Sequence, residues 1–119
     1  MHGYAFPNAN IYAADIDKTI LFNDDRIKTY YCDERNINSI KSLWDSIPVK
    51  FDIIIDDAIH EFNDNIRFFE NSIHKLNGGG YYIIEDIHHY DLLNFRNKIK
   101  ELQTKYPYLQ FQLLCCPIK

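Results

Sequence analysis

Two short apolar runs in the second half of the chain each end at a pair of carboxylates. FDIIIDDAIH stops at Asp56 and Asp57, and GGGYYIIEDI stops at Glu85 and Asp86. Neither run is long enough for a helix, and continuous apolar runs of this length are typical of parallel strands covered on both faces. Helical spacing lies on either side of them. Residues 36–47 place Ile37, Ile40, Leu43, Trp44 and Ile47 on one face before Pro48 stops the element. Asn63 or Asp64 is positioned to cap a helix with Ile66, Phe68, Phe69, Ile73 and Leu76 on its face, which Asn77 and the run Gly78, Gly79, Gly80 then end. Asp91 is placed to cap residues 92–106, with Leu92, Phe95, Ile99 and Leu102 on one side and Pro107 beyond.

Further strands are expected at residues 10–15, 26–32 and 109–115. Strands alternating with helices imply parallel strands joined by right-handed crossovers, an α/β layered sheet. With 119 residues the chain has room for one core, and no repeat or linker divides it, so residues 1–119 form a single domain.

The net charge of -4 argues against a polyanion-binding surface, which needs clustered Lys and Arg, so no nucleic-acid partner is expected. No run approaches the roughly 20 apolar residues of a membrane span, and MHGYAFPNANIY lacks a basic segment followed by an apolar one. Neither membrane nor export is expected. Cys32, Cys115 and Cys116 show no Cys-x-x-Cys spacing and read as reduced thiols of a cytoplasmic protein.

Ligands of open parallel sheets gather outside the carboxyl ends of the strands, where the acid pairs fall. Asp57, Glu85 and Asp86 at adjacent strand ends offer hard oxygen donors suited to Mg²⁺ or Mn²⁺ rather than zinc. His60, three residues after Asp57, is placed to take a proton from a metal-polarised hydroxyl. The plainer alternative is that these carboxylates cap helices and solvate the sheet edge. For His88 and His89, solvation in a polar loop is the plainer reading.

IIIDDAIH followed by KLNGGGYYIIEDI resembles the metal-dependent branch of the class I S-adenosylmethionine methyltransferases, the mycinamicin and macrocin sugar O-methyltransferases. That family reads approximately I-D-D-G-S-H, a helix, then G-G-x-Y-I-I-E-D. The resemblance implies a Rossmann-like, doubly wound, mainly parallel sheet. It implies Asp57, Glu85 and Asp86 as magnesium ligands, His60 as general base, and a small-molecule hydroxyl acceptor such as a sugar. It further implies Asp15, at the end of NIYAAD, against the ribose of S-adenosylmethionine, Asp33 beside the adenine, and Asp56 within the same cofactor-binding set.

Ala58 and Ile59 stand where the family has Gly and Ser. The family's first strand and glycine-rich turn would lie before His2, and a further strand would follow Lys119. The resemblance therefore implies a partial domain, with an opening in the centre of the sheet between the strands at 10–15 and 51–56. Unpaired strand edges there favour self-association.

AADIDKTIL also matches the D-x-D-x-T signature of haloacid-dehalogenase-like phosphatases, with Asp15 as nucleophile, Asp17 as acid/base and Asp56 or Asp57 as a magnesium ligand. That chemistry needs a lysine and a hydroxyl at further strand ends to hold the phosphoryl group. Lys50 precedes its strand, no hydroxyl residue ends the YYC strand, and Lys18 stands where Gly is usual. A third reading is a non-catalytic remnant, or a domain whose sheet is completed by another chain.

Overall fold

The computed structural model describes residues 9–21, 26–57 and 61–114. Its main elements are β1 (Ile11–Asp15), β2 (Ile27–Tyr31), α1 (Ile37–Asp45), β3 (Phe51–Asp56), α2 (Phe62–Glu70), β4 (Leu76–Ile84) and α3 (Leu92–Lys105). Short 3₁₀ turns occupy Lys18–Ile20, Ile73–Lys75 and His89–Asp91.

The strands are parallel and fall into two pairs, β1 with β2 and β3 with β4, with no backbone ladder between the pairs. The separation lies between β1 and β3, where the resemblance puts an opening. Side chains meet across it: the Tyr12 ring of β1 stands edge-on to Phe51 of β3, centroids 5.2 Å apart.

Burial follows the helical spacing. α1 starts where Asn36 adopts extended backbone and its side chain accepts from the Asn38 N–H at 2.9 Å. Its apolar side buries Ile40 and Leu43, and with Ile47, Cys32 and Phe68 these form one core cluster. The second cluster joins Ile66 and Phe69 of α2 to Phe95 and Leu102 of α3. Tyr82 of β4 packs against both clusters, its ring edge-on to Phe69 at 5.0 Å. Side chains fully buried in this way, such as Ile40, are worth about 1.5–3 kcal/mol each. A buried Lys75 ties the layers together by donating Nζ to the Ile47 carbonyl at 2.6 Å, while Trp44 Nε1 donates to Ser72 Oγ at 2.9 Å.

Four expectations change. β3 is covered on one face only: Ile54 and Asp56 are buried, whereas Ile53 and Ile55 are exposed and pair across the ladder with exposed Tyr81 and Ile83. Helices α2 and α3 cover one side of this pair, and no described element covers the other. The N-cap of α2 is Glu61 rather than Asn63 or Asp64, and it makes no side-chain cap bond; Asp64 lies in the first turn, paired with Arg67.

The glycines do not end a helix. They lie inside β4, where the register runs from Phe51 opposite Leu76 to Ile53 opposite Tyr81, so β4 carries a bulge. Gly79 supplies φ +78°, and at Gly80 a Cβ would stand 2.6 Å from the Asp52 carbonyl oxygen. Finally, residues 109–114 form no strand; Leu109 and Phe111 serve as apolar cover for the second cluster. Asp91 is the N-cap of α3, the position expected for it, and in place of a backbone cap bond its carboxylate accepts from the Asn94 side chain at 3.2 Å.

Candidate functional site

The β3–β4 ladder continues one step past the last strand pair, the Glu85 N–H donating to the Asp56 carbonyl at 3.0 Å. Asp57 and Glu85 therefore leave the sheet side by side, with Asp86 next. All of them are exposed. Asp86 has φ 55°, the left-handed region; among the described residues no other non-glycine has positive φ. Aspartate tolerates that conformation better than most residues at a cost of about 1–2 kcal/mol, and it turns the chain sharply away from the sheet edge.

The donor chemistry and the strand register suit a hard divalent cation. The side chains themselves do not form a gathered group: among the described residues no three Asp, Glu, His or Cys side chains stand together as a metal site. Three like charges exposed on one edge repel, and exposed carboxylates are drawn outward into water. His60 lies outside the described residues.

Asp56 points the other way. It is 3% exposed, and Asn65 of α2 donates Nδ2 to its Oδ2 at 3.0 Å. Its carboxylate is held inside the fold, part of the interior that anchors the end of β3. Glu34 is also buried nearby. The Tyr82 phenol is pushed well above its usual pKa by burial, then by the charges of Asp56 and Glu34, and among the described residues its hydroxyl has no hydrogen-bond partner. Cys32 is pushed up to about 11, mainly by burial, with Ser39 opposing and Glu34, Asp33 and Asp56 adding to the rise. It stays a thiol at neutral pH. Cys115 and Cys116 lie outside the described residues.

Asp15 ends β1 with Oδ1 accepting the Asp17 N–H at 2.8 Å. Asp17 accepts in turn from the Thr19 hydroxyl and N–H, at 2.7 and 2.9 Å, which lower its pKa. Those bonds stabilise the carboxylate, the wrong direction for a general acid, so the D-x-D-x-T segment folds as a locally bonded turn. Asp33 forms a fork with Arg35 (Nε 2.9 Å, Nη2 3.1 Å) that holds its carboxyl below the usual range. Beside it lies an open groove of about 520 Å³ lined by Tyr30, Tyr31, Asn38, Ser39 and Ser42, among others.

No protein-family profile matches the chain. It is 31% identical over 83 residues to the 8-demethyl-8-alpha-L-rhamnosyl tetracenomycin-C 2'-O-methyltransferase of Streptomyces olivaceus, covering 69% of this chain. Among solved structures it matches MycE methyltransferase from the mycinamycin biosynthetic pathway, in complex with Mg and SAH. That match has a TM-score of 0.65 and 27% identity over 85% of the chain. The chain is related to the sugar O-methyltransferases. It spans 21% of the length of the Streptomyces relative and 28% of the MycE chain.

Kinship with the sugar O-methyltransferases fits the parallel α/β layering described above, and nothing in it favours the phosphatase reading. No described helix is long and apolar enough to cross a membrane. Two residues escaped the sequence reading. Asn65 lies on the apolar side of α2 between hydrophobic neighbours, a polar residue where a core residue belongs, and that misfit was the available signal. Tyr90 carries no such signal, because an exposed tyrosine in a loop is ordinary in sequence.

Proposed function

We propose that this chain carries the metal-binding and proton-accepting portion of an S-adenosylmethionine-dependent O-methyltransferase acting on a sugar hydroxyl. The observation that supports it most is the in-register exit of Asp57 and Glu85 from β3 and β4, with Asp86 turned immediately after them. Asp57, Glu85 and Asp86 are the residues that would hold Mg²⁺ or Mn²⁺. Bound there, the metal lowers the pKa of an acceptor hydroxyl, and S-adenosylmethionine provides the methyl group.

This chain's own residues do the rest. The three carboxylates fix the acceptor's position at the sheet edge, and the bulged β4 and the Asn65–Asp56 bond keep the two strand ends aligned. His60 accepts the hydroxyl proton as methyl transfer proceeds. Asp15 receives the ribose hydroxyls of the cofactor, and Asp33, on the rim of the groove, lies beside the adenine.

Titration calorimetry with Mn²⁺ tests the ligand set. Saturable binding is expected, weakened at least tenfold by Asp57→Asn or Glu85→Gln and unchanged by His60→Gln; equal affinity in all variants would sink the assignment. A second reading, a binding module completed by another polypeptide, is favoured by the missing ladder between the strand pairs. Calorimetry with S-adenosylhomocysteine separates the two, since the second reading predicts no heat of binding from this chain alone.

A further inference from the structure

The loop that follows Asp86 carries an aromatic step that the ligand set does not use. The His88 and Tyr90 rings are stacked, 4.9 Å apart at 11°, and His89 stands edge-on to Tyr90 at 6.2 Å. Tyr90 is nevertheless 62% exposed, and Leu93, three residues further on, is 65% exposed. Stacking on His88 restrains the Tyr90 side chain while leaving its other face open.

Position gives this step its meaning. Its phenol pKa is raised first by partial desolvation, then by Glu61 and Asp91. Phe62 at the start of α2 meets the Phe95 ring of α3 edge-on, centroids 4.8 Å apart, so the segments that follow β3 and β4 approach each other, and Tyr90 lies in the second of them. Both segments issue from the carboxylate edge. Tyr90 and His88 therefore lie in the segment that leaves the carboxylate edge, beside the segment that leaves β3.

Building on the proposed O-methyl transfer, we infer that the open face of Tyr90, restrained by His88, docks the acceptor and selects saturated sugar rings. The face of an aromatic ring is electron-rich, and the polarised C–H bonds on one side of a pyranose lie flat against it while the hydroxyls on its rim remain free for polar partners. A flat aromatic diol has an electron-rich face of its own and gains less from a parallel approach to the same ring. Tyr90 is thus a binding and specificity residue, outside the proton-transfer and metal-holding groups.

The test is an NMR titration of the intact chain, in Mg²⁺, with methyl α-L-rhamnopyranoside and with catechol, following the ring resonances of Tyr90 and His88. Saturable shifts with the glycoside are expected, retained in Tyr90→Trp and weakened by about tenfold in Tyr90→Leu, the scale of a lost aromatic contact. Because Tyr90 is mostly exposed, neither variant empties the core, and an unchanged circular dichroism spectrum verifies this. Equal glycoside affinity in Tyr90→Leu, tighter binding of catechol, or no ring shifts at all would each overturn the inference. Mn²⁺ calorimetry on the same samples reports the carboxylate edge independently, so loss of the Tyr90 face and loss of the metal site read out separately.

Discussion

Asp86 combines two properties that a single substitution can separate. Its backbone occupies the left-handed region and its carboxylate belongs to the proposed ligand set. Asparagine tolerates the same conformation without the charge, so Asp86→Asn should leave the urea midpoint unchanged while Mn²⁺ affinity falls at least tenfold in calorimetry. Asn65 works in the opposite sense. Asn65→Leu removes the donor to buried Asp56 and should cost about 1–3 kcal/mol in urea unfolding, the price of leaving a buried acceptor without that bond. For Cys32 the direction of the pKa rise sets the pH window. The unfolded thiol ionises near 9.0 and the folded one near 11, so the folded state keeps the proton longer, and stability present below pH 9 declines as pH rises toward 11. With Cys115 and Cys116 replaced by serine, iodoacetamide should label folded Cys32 slowly at pH 8 and far faster near pH 11. Rapid labelling at pH 8 would contradict the burial.

Among the elements, the bulge in β4 shows how far a local signal carries. Three consecutive glycines after an amphipathic helix read as a helix stop, because glycine readily adopts positive φ. The chain uses one of them that way, Gly79, but inside a strand, since β3 holds β4 by hydrogen bonds on both sides of the irregularity. Gly80 is needed for a different reason, the approach of the Asp52 carbonyl. Gly80→Ala should therefore destabilise the fold by about 1–3 kcal/mol, whereas Gly78→Ala, with nothing near its added carbon, should be tolerated; thermal melts of the two variants check the contrast. The helices were legible because apolar residues at 3.6-residue spacing must face one way, and α1 and α3 lie close to where that spacing puts them. The strand expected at residues 109–115 illustrates the reverse. An apolar run serves equally as strand or as irregular cover, and Leu109 and Phe111 found their place against Phe69 and its neighbours without a ladder partner.

For the molecule taken together, the uncovered face of the β3–β4 pair sets its solution behaviour. Ile53, Ile55, Tyr81 and Ile83 form a contiguous apolar surface on a sheet whose opposite side is covered. Such a surface should bind the dye ANS in the native state, and Ile55→Lys together with Tyr81→Lys should abolish that binding and reduce concentration-dependent association in sedimentation. Unchanged dye binding would show that the face is covered in solution. The amino-acid sequence by itself determined the alternation of strands and helices, the parallel layering and the place of Asp57, Glu85 and Asp86 just beyond the ends of β3 and β4. Periodicity and strand ends are local properties, and acid residues at the end of a short apolar run have few other places to go. Three outcomes needed the folded chain: that Asp56 turns inward to Asn65, that one face of the sheet is bare, and that the starts of α2 and α3 meet, Phe62 against Phe95. Each depends on which residues meet across long stretches of chain, and such contacts leave no periodic trace in the order of the residues.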